Sequence, residues 1–290
     1  IPVVAEAIKN RDAEFIKNRA KIQAESGATY IDCCASVPEA EEVETLKWMI
    51  EQIQEVTDLP IAVDSPSADV ILEAYKFCNK PGIINSVSME GDKIDKIFPA
   101  IADTDWQVIA LLSDDTGIPQ TAEDRLRVFK NIMKKAEEYN IKPERIHIDP
   151  LVEMLCTSED GIAMNVEVIS TIRKEYPTIH ITAAVSNISF NLPVRKLINL
   201  GFTVLAMNAG LDYEHHAVLI GYFMYLFHDR YIYSIPFCYA SMFKEPWALL
   251  GFSLNLTYNG ERGRQNKLFN YFFYPVHLLV LGIIRMTLHI

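Results

Sequence analysis

Apolar positions along the chain switch repeatedly between two spacings. From 3 to 26 they recur at helical intervals (Val4, Ile8, Phe15, Ile16, Ala20, Ile22, Ala24) and stop at Gly27, which predicts one helix with an ordinary glycine end. A strand is predicted over 28–34, followed by a helix over 39–57 with Leu46, Met49, Ile50, Ile53 and Val56 on one face. The same alternation predicts strands at 61–64, 83–85, 108–112, 145–149, 179–185 and 203–207. Helices are predicted between them at 68–78, 91–102, 121–139, 163–175 and 193–200. Strands separated by helices make a parallel sheet. Seven strands are counted where a closed barrel needs eight, so the first is expected upstream of Ile1. The fold class is therefore α/β, a TIM-type (β/α)8 barrel lacking its first strand and last helix, followed by a hydrophobic helical tail.

Four strand-like runs end in polar residues. They are Ile61-Ala62-Val63-Asp64-Ser65, Gly82-Ile83-Ile84-Asn85-Ser86, Ile146-His147-Ile148-Asp149-Pro150, and the run to Val185 that leads into Ser186-Asn187-Ile188-Ser189-Phe190-Asn191. The carboxyl ends of strands are where α/β barrels keep their chemistry. Asp64, Asn85 and Asp149 offer two carboxylate acceptors and one amide, with no Lys or Arg immediately beside them. Such a set suits a neutral heterocycle bearing N–H donors, because a buried carboxylate is tolerable only when donors satisfy it. A pterin has that edge, an amino group beside a ring N–H. A single Asp at a strand end is more simply a helix cap, and Asp64 before Ser65-Pro66 reads that way on its own; four such residues on successive strands do not.

Composition changes the picture near Asp212. Of the 30 aromatic residues, 18 lie in 213–290, a segment with six Lys or Arg against four Asp or Glu. Residues 1–212 carry 21 basic against 34 acidic residues, a balance of −13 that removes the electrostatic case for nucleic-acid binding. The five cysteines contain no C-x-x-C spacing and there is no secretory signal, so reduced thiols in the cytoplasm are expected. Cys33 and Cys34 could be read as a redox pair, but neighbours on a strand point to opposite faces, which favours a structural role. Glu39, Glu41, Glu42 and Glu44 suit a helix N-terminus rather than a metal site, and no metal is expected. The chain opens on Ile1-Pro2 without Met, as a fragment would.

Val63-Asp64-Ser65, Ile84-Asn85-Ser86, Thr116-Gly117-Ile118-Pro119, Ile148-Asp149-Pro150-Leu151 and Ser186-Asn187-Ile188-Ser189-Phe190-Asn191 together resemble the pterin-binding methyltransferases that move a methyl group between N5 of tetrahydrofolate and the cobalt of a corrinoid protein. The resemblance covers 3–212 and leans toward the subgroup that serves demethylation of methylated amines. It implies that Asp64, Asn85 and Asp149 hold the pterin ring, with Asp32 and Ser186 completing the binding set. Asn187 is implied as the catalytic residue, hydrogen-bonded near N5. The substrate is implied to be tetrahydrofolate or 5-methyltetrahydrofolate, and the cobalamin to be carried by a partner corrinoid protein; homologous barrels commonly form homodimers. Two departures stand out. The family's Asp-x-Asn at the end of the second barrel strand here reads Asp32-Cys33-Cys34, and the family's opening strand, ending in Asn-Gly, is absent before Ile1. Dihydropteroate synthase shares the barrel and the pterin site, but its phosphate-handling Arg and Lys cluster and its Gly-rich and Arg-Pro-Gly loops are missing here.

Beyond Asp212 the last barrel helix is replaced by apolar runs at 217–227, 231–243, 248–258 and 268–284. The last, at seventeen residues, sits at the lower limit of a membrane span, and Arg262, Arg264 and Lys267 would favour the cytoplasmic side. Trp247-Ala248-Leu249-Leu250, Tyr258-Asn259-Gly260-Glu261-Arg262-Gly263 and Phe272-Phe273-Tyr274-Pro275-Val276-His277-Leu278-Leu279 resemble the TraX membrane protein family, linked to N-terminal acetylation of conjugal pilin. Two domains follow: 1–212, the pterin-binding barrel, and 213–290, a TraX-like tail with a candidate membrane segment at 268–284. A joined reading frame explains this pairing better than a natural fusion, which leaves the activity of a truncated or chimeric chain open. Against the methyltransferase stand three other readings: a membrane-anchored TraX-like acyltransferase fragment, a dihydropteroate synthase-like enzyme, and a pterin-binding protein without turnover.

Overall fold

Six strands are laid side by side in chain order, every neighbouring pair parallel: β1 (Ile31–Cys34), β2 (Ile61–Asp64), β3 (Ile83–Met89), β4 (Gln107–Asp114), β5 (Ile146–Asp149) and β6 (His180–Ile181). The structure, a computed structural model, describes residues 2–158 and 160–212. Two helices, α1 (Pro2–Lys9) and α2 (Ala13–Glu25), precede the sheet. The strand connections carry α3 (Glu39–Gln54), α4 (Ala68–Ala74), α5 (Lys93–Ile101), α6 (Ala122–Glu138) and α7 (Gly161–Glu175), and α8 (Arg195–Ala209) follows β6.

The strands' two faces explain the arrangement. One face is aliphatic and fully buried: Ile31 and Cys33, Ile61 and Val63, Ile84, Val108, Ala110 and Leu112, Ile146 and Ile148, and Ile181 are all 3% exposed or less. It packs against the apolar stripes of the helices, such as Leu46, Met49, Ile50 and Ile53 of α3 and Val128, Phe129 and Ile132 of α6. Residues two apart on a strand share a face, and parallel partners in register point the same way. The opposite face therefore carries Asp32, Cys34, Asp64, Asn85, Gln107, His147, Asp149 and His180. An arc of parallel strands with helices outside and polar side chains inside is the wall of a (β/α) barrel. Gly82 allows β3 to lie close to β2, since a Cβ there would fall 2.0 Å from the Ile61 carbonyl oxygen.

Three expectations need correction. The single helix over 3–26 is two helices, broken at Asn10 and Arg11, because the Asp12 carboxylate accepts from the Phe15 N–H (3.0 Å) and starts α2 afresh. The strand over 179–185 contributes only His180–Ile181 to the sheet and then turns through a 3-10 segment, Val185–Ser189. The helix at 193–200 and the strand at 203–207 are one helix, α8, so the described residues hold six strands rather than seven. Phe202, Thr203 and Ala206 are its buried positions at helical spacing, and the Thr203 hydroxyl donates back to the Asn199 carbonyl (2.7 Å). Gly210, at φ 118°, closes the helix. Asp212 then lies against the β6 edge: its N–H donates to the Ile181 carbonyl (3.0 Å) and its carboxylate accepts from the Ile181 N–H (2.7 Å). The tail and its candidate membrane segment lie outside the described residues, among which no helix is long and apolar enough to cross a membrane.

Local capping sets where α6 begins. The Thr121 side chain accepts from the Asp124 N–H (3.1 Å) and donates to the Asp124 carboxylate (2.8 Å). Thr121→Ala is expected to lower stability by about 1 kcal/mol in denaturant unfolding, with no change in the slope of the transition.

Candidate pterin site

At the carboxyl ends of the strands, the ladder places Cys34, Asp64 and Asn85 in one row across β1, β2 and β3. The Asn85 carbonyl accepts the Ser65 N–H (3.0 Å), which fixes the chain as it leaves β2. Cys34 stands beside Asp64, where the resemblance led one to look for an amide; its thiol contacts the Ser36 hydroxyl at 3.3 Å. Asp32 lies two residues below on the same face, solvent-accessible within the concave wall. Its carboxyl is raised above the ordinary range by burial among the surrounding protein groups. Asp64 is pushed up to about 6, first by burial and then by the charges of Asp32 and Glu42. Among the described residues none of Asp32, Asp64 and Glu42 makes an ion pair, and such a set favours a ligand that brings N–H donors.

Asp149 ends β5, across from Leu111 of β4. One of its oxygens accepts the Leu151 N–H at 2.8 Å. Burial pushes its carboxyl up to about 6, against the lowering effects of that N–H and of the Arg125 charge. Although no Lys or Arg stands beside Asp149 in the sequence, the fold brings Arg125 close to it. Its guanidinium, fully buried on α6, donates to the carbonyls of Pro119, Pro150 and Leu151 and pairs with Glu153. Sequence gave no sign of this contact, since 25 or more residues separate Arg125 from the acceptors beyond Asp149.

Asn187 sits in the 3-10 turn after β6, at the same end of the sheet. Its N–H donates to the Ala184 carbonyl and its carbonyl accepts from Phe190 N–H, both at 3.0 Å. Its side chain is exposed and has no hydrogen bond within the described residues. The turn is tied to the loop after β5 by the Leu155 N–H, which donates to the Ile188 carbonyl (3.0 Å). Ser186 is exposed beside it, and its carbonyl accepts from Arg195 (3.0 Å). Asp64 and Asn85 are thus brought into one ladder row. Asp149 and Asn187 stand at the same end of neighbouring strands, and Asp32 lies lower on the concave face.

Deeper on that face, His147 is buried, contacts the Gln107 side chain and stacks on His180 with ring centroids 4.5 Å apart. His180 Nδ1 lies 3.4 Å from the Asp212 carboxylate. These polar groups were not picked out from the sequence, although alternation within Ile146-His147-Ile148-Asp149 already places His147 on the face of Asp149. Cys33 points the other way, into the helix-facing core, and burial holds its thiol well above the ordinary range. Among the described residues no group of three His, Cys, Asp or Glu is placed to hold a metal.

The chain belongs to the family described as pterin binding enzyme, whose model matches residues 3–214. It is 44% identical over 214 residues to a methylcorrinoid:tetrahydrofolate methyltransferase of Eubacterium limosum, covering 73% of this chain and 79% of that protein. It is 28% identical to the methionine synthase of Mycobacterium leprae (strain TN), over 72% of this chain but 18% of that longer protein. Among solved structures, a dihydropteroate synthase of Xanthomonas albilineans with 4-aminobenzoic acid superposes with a TM-score of 0.54 at 20% identity, covering 70% of this chain and 79% of that one. That likeness is one of fold, and it extends the six described strands to the barrel they belong to. A second family, the TraX protein, matches residues 162–285. The two matches share 162–214, where the described structure consists of α7, β6 and α8 on the parallel sheet.

Proposed function

We propose that the chain is a methyltransferase moving a methyl group between N5 of tetrahydrofolate and the cobalt of a corrinoid protein. The observation that carries this reading is the carboxylate and amide row of Asp64 and Asn85 at the strand ends, in a chain 44% identical to a protein named for that reaction. In this reading Asp64, Asn85 and Asp149 accept from and donate to the pterin edge. Asp32 and Ser186 flank them, and the free Asn187 amide hydrogen-bonds N5. The partner's corrinoid supplies the cobalt that gives or takes the methyl group. What this chain supplies is orientation of the pterin and stabilisation of the charge change at N5. An amide suits both directions, because it donates or accepts after a small rotation. No general base is needed.

The boundary belongs to the same proposal, with 1–212 as the pterin-binding domain and 213–290 as a separate hydrophobic, TraX-like segment; the end of the pterin family match at 214 supports it. A cytoplasmic barrel, membrane contact through 268–284 and a homodimer are further parts of the same proposal. Fractionation of the full chain and sedimentation of the soluble protein test these.

The deciding experiment gives the full chain methylcobalamin and tetrahydrofolate, then follows the cobalamin spectrum and the appearance of 5-methyltetrahydrofolate. Transfer with turnover is expected. Tetrahydrofolate binding without transfer would replace the reading with a pterin-binding protein, and absence of both would move attention to the tail.

A further inference from the structure

A fully buried cation lies off the concave face. Arg125 projects from α6 with a guanidinium 0% exposed, and each of its nitrogens has an acceptor. Nε donates to the Pro119 carbonyl at 3.0 Å, at the end of the loop that joins β4 to α6. Nη1 donates to the carbonyls of Pro150 and Leu151, the latter at 2.7 Å, and Nη2 meets the Glu153 carboxylate. Glu153 in turn accepts from the Gln120 side chain at 3.4 Å, so the two loops are joined twice. A buried guanidinium is tolerable only with this degree of satisfaction, because each unmet donor would carry its full desolvation cost.

What Arg125 holds matters more than that it is held. Leu151 lies at φ 59°, a left-handed conformation that a leucine resists. In that conformation its N–H turns back to one oxygen of Asp149 while its carbonyl faces Arg125. Release of the two carbonyls would let Leu151 relax to negative φ and withdraw the N–H from Asp149.

We propose that Arg125 is a positioning residue for the pterin site: by clamping the Pro150 and Leu151 carbonyls it holds the strained turn that orients the Asp149 carboxylate toward the ligand. This rests on the pterin-binding reading above. The charged groups that bear on Asp149 are Arg125 from α6 and, through Arg125, Glu153 from the loop after β5. Removing the first should move Asp149 toward its protonated form, and removing the second should move it the other way.

The test measures tetrahydrofolate affinity of the full chain by calorimetry from pH 5 to 8, alongside thermal unfolding of the ligand-free protein. Arg125→Met is expected to weaken binding at pH 7 by about tenfold or more and to shift the pH midpoint of binding upward. Arg125→Lys, which keeps the charge but not the fork, should restore the midpoint more fully than the affinity. Glu153→Gln, at a partly exposed position, should shift the midpoint downward, and it answers the question should Arg125→Met fail to fold. The ligand's own titration is common to all proteins and cancels in the comparison. A lowered melting temperature with unchanged affinity and midpoint in the Arg125 variants, or an unmoved midpoint in Glu153→Gln, would overturn the proposal. Failure of the wild-type chain to bind tetrahydrofolate would instead overturn the pterin reading itself.

Discussion

Asp149→Asn should make the ligand-free protein more stable and a poorer binder of tetrahydrofolate. The ordinary carboxyl value is 3.8 and the folded value about 6, so the native state holds the Asp149 proton more tightly than the unfolded chain does. Stability from this group is therefore fully present below about pH 4, falls as the pH rises through about 6, and stays reduced above it. A shift of this size corresponds to about 3 kcal/mol at full effect. Partial solvent access and the lost charge-assisted bond from Leu151 reduce the expected gain at pH 8 to about 1–2 kcal/mol. Asparagine cannot ionise, so it removes the penalty and the pH dependence together. Toward the pterin the change works in the opposite sense: a charged acceptor becomes a neutral amide, half of which is a donor facing donors. Affinity should fall by about 1–3 kcal/mol. Denaturant unfolding at pH 4 and pH 8 and calorimetric titration check the two halves. A variant less stable than wild type at pH 8 would mean that Arg125 outweighs burial at this carboxyl, and unchanged affinity would remove Asp149 from the site.

Much of this was legible in the sequence, for a physical reason. The strand Ile61–Asp64 and the start of α3 at Glu39 fall where the sequence pattern places them, because buried parallel strands need continuous aliphatic runs and the acidic first turn Glu39, Glu41 and Glu42 suits a positive helix N-terminus. The strand-end residues were legible because a polar side chain closing an aliphatic run has few structural uses. Residues 203–207 were misread because Thr203, Val204 and Leu205 form a short β-branched and apolar run, which period alone cannot separate from a helix. The backbone there follows the burial of Phe202, Thr203 and Ala206 instead. Arg125 stayed hidden because its partners lie in another loop; a cation within an amphipathic helix looks like any surface charge until the fold buries it. His147 was visible in the alternation but carried no motif.

The largest effect is expected at Asn187. Its backbone is engaged in the turn between Ala184 and Phe190, while the exposed amide has no hydrogen-bond partner among the described residues. Asn187→Ala should therefore leave stability within about 0.5 kcal/mol of wild type, as surface substitutions away from structural contacts do. The charge on N5 changes as the methyl group arrives or leaves, so a hydrogen bond there is stronger in the transition state than with bound substrate. Its loss should raise the barrier by about 2–4 kcal/mol, which is roughly 30-fold to 1000-fold in the single-turnover rate. Tetrahydrofolate affinity should change much less, by about threefold or under. Asn187→Asp adds direction to the test. A carboxylate accepts but does not donate, so a reaction that needs donation to N5 should be slow at pH 8 and recover as the pH falls and the group is protonated. A reaction that needs only an acceptor should be less affected at pH 8. Rapid-mixing measurement of methyl transfer, paired with calorimetry on the same preparations, separates these outcomes. Equal losses in rate and affinity for Asn187→Ala would reduce Asn187 to a binding residue and leave charge stabilisation at N5 to another group.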